Sequence, residues 1–445
     1  MVLLSEFYFP PKYVGLDLIA LQRAKVLSCT VAPSSVMNTA LKTEPISGTP
    51  ATTGVRIVSI DVFRGITMAV MIFVNALDGV RGLPWWTHHA RASVDVMTYV
   101  DMVFPFFLFA VGLSLPLAVE RRLKRDRSQA ALWLHIVVRS VSLIVLGLIL
   151  ANAEKADRSF MGMSGNLWGL LGLLCGALFL LDYSPWKRLQ PYSRLLQIVG
   201  LVAMAILYAV FRRTTSAGHA GWIDFSYPEI LGLIGFAYLS VAILYIPTRR
   251  WSWAPSLWFV LLVSLCAFTT ARIIVFPEWA TLYVWPFGNG SSSCIVMAGV
   301  VVSTFFRGNG VTAARAMLAA VVFGLVVFGA GWMLMPLGIS KIRATPTWSL
   351  WSVAGAAFLF ALLYWVCDVR QWQRWAAPVR PAGSNTLTTY LLPDFSDLLM
   401  GLLGLTFWDA HFNAGWPGVV KTLIFTCLML ALAAGLTKAR VRLQL

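Results

Sequence analysis

About twelve apolar runs of roughly 17–22 residues recur along nearly the whole chain, and they restrict its fold more than any other feature. As a helix, a run of this length matches the thickness of a lipid bilayer. The composition agrees, because 58% of the residues are hydrophobic and only 12% are charged, whereas about a quarter are charged in soluble proteins. A membrane β-barrel would need short alternating strands. These features exclude a soluble enzyme, a disordered chain, a fibrous repeat and a single-span receptor.

We therefore predict an all-α fold, a polytopic transmembrane helix bundle with about 11–12 spans. The eighth run is the shortest, and the eleventh is rich in Thr, Ser and Asp, so these two give the weakest signals. The predicted spans lie at approximately 60–78, 101–119, 132–151, 166–182, 193–211, 227–246, 254–275, 291–306, 313–335, 347–367, 384–404 and 416–437.

The basic residues predict how the bundle is oriented. The net charge is +16, and the connections on one side, which include the run Glu120–Arg127 after the second span, carry about twice as many Lys and Arg as the other side. Because basic loops stay in the cytoplasm, we expect both termini there. The expected location is the plasma (inner) membrane. Basic cytoplasmic loops account for the positive net charge, so nucleic acid is not an expected partner.

The chain divides into three predicted segments. Residues 1–55 have mixed polarity and no run long enough to span, which predicts a disordered cytoplasmic tail in which Met37 is a candidate start. Residues 56–437 form the transmembrane domain, and residues 438–445 form a second cytoplasmic tail. The six cysteines lie far apart and lack paired spacing, so neither a disulfide framework nor a metal site is indicated.

The first span carries a polar stripe on an otherwise apolar helix. Asp61, Arg64, Asn75 and Asp78 fall within roughly a 100° arc, and charge inside a span normally faces the interior of the bundle. Asp61 and Arg64 have the i,i+3 spacing of an ion pair that would fix the start of the helix. That interpretation is compatible with a functional role for the far end of the stripe.

The connection after the first span contains His88 and His89, and the second span opens with Asp101. An imidazole, a carboxylate and the amide of Asn75 near one another are suited to acyl transfer. Histidine can accept a proton from an attacking amine or hydroxyl, or carry the acyl group itself, while an amide can stabilise an oxyanion. Two simpler interpretations stay open: Asp101 caps a helix, and a histidine pair sits at the membrane interface.

Polar residues in three other segments are candidates for binding a donor. Arg139 lies on a basic face of the third span, which would meet phosphates or lipid headgroups. Asn289 precedes the eighth span in a Gly/Asn/Ser run that suits either an anion or a plain helix cap. Asn385 shares a helix face with two threonines that either join helices or line a cavity.

Several of these segments resemble the heparan-α-glucosaminide N-acetyltransferase family of multispan membrane acyltransferases. The resemblance runs from about Arg56 to about Asp397. Its opening motifs are the segments Arg56–Gly65, Phe73–Asn75, Trp85–Ala90 and Asp101–Phe107. Its C-terminal motifs are the segments Ile339–Lys341, Thr345–Ser349 and Gly383–Asn385.

The resemblance implies an enzyme that transfers acetyl from cytoplasmic acetyl-CoA to an amino sugar or glycan at the outer face, by N- or O-acetylation. It implies that His89 is the active histidine, with adjacent His88 as the alternative, and that Asn75 is the asparagine that precedes it. We expect Asp101 to orient the imidazole. The predicted acetyl-CoA contacts are Arg139, Asp61, Arg64, Asn289 and Asn385.

Acetyl-CoA is thus the expected co-substrate, without a metal. Lipid and the sugar acceptor are the expected partners, with a homodimer as a candidate assembly. The rival prediction is a multispan solute transporter, which polar intramembrane residues and Gly/Pro-interrupted helices would also fit. We find no clear repeat between the two halves, and the polar residues cluster on the first two spans. A non-catalytic scaffold is the third alternative.

Overall fold

The computed structural model describes residues 57–126, 128–307 and 310–444. The predicted tail at residues 1–55, with Met37, lies outside the described residues, as do Arg56 and Arg127. In the described part, each of the twelve predicted runs contains one long helix. These helices are α1 Val58–Leu77, α2 Val100–Asp126, α3 Gln129–Ala153, α4 Gly165–Leu180, α5 Ser193–Val210, α6 Glu229–Thr248, α7 Ala254–Thr270, α8 Ser291–Phe305, α9 Ala313–Met333, α10 Pro346–Tyr364, α11 Thr386–Leu403 and α12 Gly415–Lys438.

Short elements connect the long helices. A two-stranded antiparallel hairpin pairs β1, Arg213–Thr214, with β2, Ala220–Gly221. The short helical elements are Trp85–Thr87, Arg158–Met161, Gln190–Tyr192, Met335–Leu337, Trp365–Val369, Arg374–Ala376, Arg380–Ser384 and Phe407–His411.

The prediction of an all-helical membrane bundle is confirmed. Within the described residues, eight helices are long and apolar enough to cross a membrane, namely α1, α2, α3, α5, α6, α9, α10 and α12. Helices α4, α7 and α8 are apolar but shorter. The protein is therefore an integral multi-pass membrane protein, while the count of 11–12 spans and the cytoplasmic termini stay predictions.

One boundary was predicted wrongly. The basic run after the second span was expected to be a loop, but α2 continues through it to Asp126. Arg, Lys and Leu are good helix formers. Ion pairs at i,i+4 spacing also support the extension: Lys124 Nζ lies 2.8 Å from Glu120 Oε1, and Arg122 lies 4.0 Å from Asp126.

Contacts between helix ends define two ends of the bundle. Arg81, after α1, pairs with Ala414, before α12. At the opposite end, Arg307, after α8, binds Glu120 near the end of α2. We call the first the His89 end, since it holds the connection after α1, and the second the basic end. These contacts agree with a chain that reverses direction at each long helix.

Close packing of α2 against α8 positions the start of both helices. A Cβ atom on Gly112 would lie 1.9 Å from the carbonyl oxygen of Val296, and one on Gly299 would lie 2.2 Å from that of Phe109. Any side chain at either glycine would therefore force the helices apart. The contact fixes the N-terminus of α2, with Asp101, beside the segment that leads into α8.

Candidate active site

The N-terminus of α2 holds Asp101 in a capping arrangement. Asp101 Oδ2 accepts the backbone N–H of Thr98 at 3.0 Å and that of Ala90 at 3.3 Å. A carboxylate that reaches back to the residue preceding the helix satisfies a donor that the helix leaves unpaired. The capping interpretation from the sequence is thus seen in the structure, and it uses only one of the two carboxylate oxygens.

The other oxygen of Asp101 binds His89. Asp101 Oδ1 lies 2.7 Å from His89 Nδ1, and the aspartate is fully buried. An ionised carboxylate only accepts, so Nδ1 carries the proton and Nε2 of a neutral ring keeps a free lone pair. About a third of the His89 side chain is exposed. The pair therefore presents a basic nitrogen on a ring that a buried carboxylate orients.

Lys341 joins this pair from the connection between α9 and α10. Its Nζ lies 3.2 Å from His89 Nε2 and 3.4 Å from Nδ1. An atom almost equally distant from both ring nitrogens does not lie on the axis of either lone pair, so Nε2 stays accessible in the plane of the ring. Burial lowers the pKa of the Lys341 ammonium, and the charges of Asp101, Asp78 and Glu229 act in the opposite direction.

Hydrogen bonds on both sides of the Lys341 segment hold it beside α2 and the segment that leads into α8. Trp348 Nε1 donates to the backbone oxygen of Asp101 at 3.0 Å, and Asn289 Nδ2 donates to the backbone oxygen of Ala344 at 3.0 Å. Arg343 forms an ion pair with Asp95. The Arg343 guanidinium, with the backbone N–H of Ile339, lowers the pKa of the Asp95 carboxyl.

His89 and Lys341 lie on the wall of a cavity of about 490 Å³. Residues from α2, α6, α8 and α10 contribute to the wall, and most of them are apolar. Asn289 also lines this cavity. The volume falls in the usual range of small-molecule sites. A base on the wall of such a cavity can remove a proton from a bound amine or hydroxyl.

The structure pairs His89 with Asp101 but does not join it to His88 or Asn75, the other two predicted catalytic residues. The His88 backbone oxygen accepts the hydroxyl of Thr98 at 3.0 Å, but among the described residues the His88 ring has no carboxylate partner. Asn75 lies near the end of α1 and is exposed. No hydrogen bond joins its side chain to His89 or Asp101 within the described part of the chain.

Asp61 and Arg64 form the predicted ion pair at the basic end, with Arg64 Nη2 2.7 Å from Asp61 Oδ1. Arg64 and Arg139 line one small cavity of about 70 Å³ beside α6. The Arg139 guanidinium lies over the ring of Tyr238, 4.8 Å from its centre. The structure therefore brings two of the predicted acetyl-CoA contacts together and places both apart from the His89 cavity wall.

Asn385 is buried where α11 begins. Its Nδ2 donates to the backbone oxygen of Val441 at 2.8 Å and lies 3.3 Å from the hydroxyl of Thr437. Its Oδ1 accepts the hydroxyl of Thr388 at 2.7 Å. The side chain thus joins α11 to the chain segment at the end of α12, in agreement with the helix-joining alternative. Its role as an acetyl-CoA contact stays a prediction.

Two residues near the site were missed as functional candidates. Lys341 belongs to the motif Ile339–Lys341, and a lysine among apolar runs is a usable signal. Glu229 begins α6 with a positive φ of 59°, and its Oε2 lies 3.1 Å from the hydroxyl of Tyr390. Among the described residues, no group of three or more His, Cys, Asp or Glu is placed to hold a metal ion.

Comparisons with known proteins agree with the resemblance. Residues 56–306, more than half of the chain, match the family described as "Domain of unknown function (DUF5009)". The chain is similar to heparan-alpha-glucosaminide N-acetyltransferase of Homo sapiens, with 36% identity over 126 residues, which are 27% of this chain and 18% of the human protein. It is also similar to the Mus musculus enzyme, with 37% identity over 97 residues, 22% of this chain and 14% of the mouse protein.

The matched segments thus span less than a fifth of these two relatives. The family match is broader, since it covers α1 to α8 and includes His89 and Asp101. The chain therefore belongs to the DUF5009 family, the family of the transmembrane acetyltransferases that resemble heparan-alpha-glucosaminide N-acetyltransferase.

Proposed function

We propose that the protein transfers acetyl from cytoplasmic acetyl-CoA to an amino sugar or glycan at the outer face of the membrane. The observation that carries the proposal is the pair formed by His89 and buried Asp101 on the wall of the 490 Å³ cavity. The similarity to enzymes named heparan-alpha-glucosaminide N-acetyltransferase supports an amino-sugar acceptor. The plasma membrane and a homodimer belong to the same proposal.

In direct transfer, the acceptor nitrogen or oxygen attacks the thioester carbonyl while His89 Nε2 takes the proton that the acceptor loses. Once the new bond between the carbonyl carbon and the acceptor has formed, the carbon–sulfur bond of the thioester breaks. The imidazolium returns the proton to the departing thiolate, which leaves as free CoA. Asp101 holds the ring and balances its positive charge, and Lys341 or Asn75 stabilises the negative charge on the carbonyl oxygen.

In the alternative route, His89 carries the acetyl group before the acceptor takes it. The two routes differ in their steady-state kinetics. Parallel double-reciprocal plots at several acceptor concentrations would favour the acetyl-histidine intermediate, and intersecting plots would contradict it.

The predicted donor contacts divide into two groups. Arg139 and Arg64, which share the small cavity, would meet the phosphates of acetyl-CoA, and Asp61 would hold Arg64 in place. Asn289 lines the His89 cavity, where it would contact the acyl end of the donor. Asn385 is retained as a contact of lower priority, because it lines neither of these two cavities.

The test uses purified protein in detergent, radiolabelled acetyl-CoA and a panel of amino sugars that includes glucosamine. We expect label in a sugar with the wild type and with His88→Ala, and loss of label with His89→Ala. If His89→Ala retains label transfer and His88→Ala loses it, the active histidine is His88. If the wild type neither transfers label nor binds acetyl-CoA, the proposal is contradicted and the transporter alternative is favoured.

A further inference from the structure

The His89 cavity extends from the catalytic pair into the membrane interior along one face of α6. Ile230, Leu233 and Ala237 line it at the three- and four-residue spacing of a helix face. The residues next to them, Leu231, Ile234 and Tyr238, line the small arginine cavity instead. From Ile230 to Ala237 the helix rises about 10 Å. The cavity is therefore a slot that descends from the His89 end beside α6.

The walls of this slot do not suit a sugar. Polar side chains that line it are in part already occupied: Ser293 lies 2.7 Å from the Ser240 hydroxyl, and Asn289 binds Ala344 and Ser291. The remaining wall is mostly aliphatic and aromatic. A hexosamine placed there would bury several hydroxyl groups without partners, which is costly. Transfer of an apolar group from water into the slot would carry no such cost.

The cover of the slot is also apolar on its outer surface. Tyr283 packs edge-on against Phe236 on the slot wall, with ring centres 5.1 Å apart. In the same connection between α7 and α8, the side chains of Val275, Trp279 and Val284 are 77%, 70% and 61% exposed. Side chains of this kind at the end of a membrane helix lie in the lipid interface. The connection that covers the slot therefore faces lipid.

We propose that the slot binds the apolar aglycone of the acceptor, so that the substrate is an amino sugar attached to a lipid-like carrier. This inference rests on the proposed acetyl transfer. The sugar lies at the polar rim, beside His89 and Lys341, and its alkyl or polyprenyl chain runs down along Leu233 and Ala237. The slot is larger than an acetyl group requires, and its lipid-facing cover gives the apolar end of the acceptor a short path from the bilayer.

The experiment compares methyl and butyl β-glucosaminide as acceptors, both below micelle-forming concentrations and in one detergent. Each methylene transferred to an apolar site improves binding roughly threefold to fourfold. We expect a KM for the butyl compound at least about tenfold lower than for the methyl compound in the wild type. Leu233→Trp, which fills the slot, brings the ratio close to one. Ala237→Leu, a smaller filling, tests the same point if the tryptophan variant does not fold.

Ile243→Trp is the matched control, because Ile243 lies on the same helix, is exposed and does not line the slot. It keeps the wild-type ratio. Equal KM values for the two acceptors in the wild type would overturn the inference and leave acetyl transfer intact. Filling variants that raise the KM for acetyl-CoA and keep the acceptor ratio would overturn it too, since the slot would then hold the donor. Transfer to neither acceptor would contradict the proposed function itself.

Discussion

At the basic end of α1, the polar groups are bound to one another, whereas at the His89 end they face a cavity. Asp61 pairs with Arg64 one turn away, and both oxygens of Asp368 accept backbone N–H groups of Val58 and Ser59 at 2.9 Å. These contacts satisfy the helix start and fix it against the end of α10. Such groups are suited to structural support.

At the His89 end, the same residue types are arranged for chemistry. Asp101 divides its oxygens between the start of α2 and the imidazole, and Lys341 lies beside the ring without blocking Nε2. The comparison separates two kinds of polar residue in a membrane bundle. One kind bonds only to other protein groups and supports the structure, whereas the other keeps a lone pair or proton that faces a cavity and is available for chemistry. Four substitutions can test the distinction.

The largest expected effect is that of Asp101→Asn. An asparagine amide can place its N–H₂ toward His89 Nδ1, which forces the ring proton onto Nε2 and removes the basic lone pair. We expect the kcat of acetyl transfer to fall roughly 10³-fold, with the range for general-base catalysis being 10²–10⁴. The measurement is label transfer at saturating substrates. A variant that folds and keeps the wild-type kcat would show that the pair is structural.

Lys341→Met should have the second largest effect. Its Nζ lies 3.2 Å from His89 Nε2, and we propose that the ammonium stabilises the negative charge on the thioester carbonyl oxygen. Loss of one such group costs roughly 10²-fold in kcat. Lys341→Arg keeps the charge and should recover part of the loss. Arg91→Met, which removes an exposed cation outside the cavity wall, is the control. A change confined to the KM for acetyl-CoA would contradict this role.

The sequence predicted the parts of this arrangement that are local. Every apolar run contains a helix, because hydrophobic length alone determines where a chain crosses lipid. The pairing of His89 with Asp101 was accessible for a similar reason: the two residues are 12 positions apart across one connection, and the carboxylate lies at a helix start. The cap and the hydrogen bond to histidine were both foreseen as alternatives, and the structure contains both.

Contacts between distant segments could not be predicted in this way. Lys341 lies 252 positions from His89, and its approach depends on how α2 packs against α8 and α10. Nothing in the apolar pattern shows which face of α6 lines the slot, since α6 is apolar all round. The basic run at the end of α2 predicts a loop by its charge, but its i,i+4 charge spacing favours the helix that the structure contains as far as Asp126.

Asp368→Ala tests the structural end. It removes the carboxylate that accepts the first two N–H groups of α1, and loss of such a cap costs about 1 kcal/mol. We expect a lower thermal unfolding temperature in detergent with an unchanged kcat at a temperature where the variant is folded. Asp368→Asn keeps one acceptor oxygen, so its unfolding temperature should lie between those of the wild type and Asp368→Ala. A large loss of kcat without loss of stability would place catalytic function at the basic end.

The smallest expected effect is that of the exposed pair of Asp95 and Arg343, which holds the Lys341 segment to the connection after α1. Because the pKa of Asp95 is lowered in the folded protein, the pair stabilises the fold above the ordinary Asp range near pH 3.9 and loses this contribution as the pH falls through the lowered value. The unfolding temperatures of wild type and Arg343→Met should therefore differ slightly and constantly from pH 7 to about pH 5, and converge below about pH 4. Arg91→Met, an exposed arginine in the same connection, should show no such convergence. If the difference in unfolding temperature between wild type and Arg343→Met persists undiminished at pH 3, Arg343 acts through contacts other than the Asp95 carboxylate. The connection after α1 and the Lys341 segment would then be joined without this ion pair.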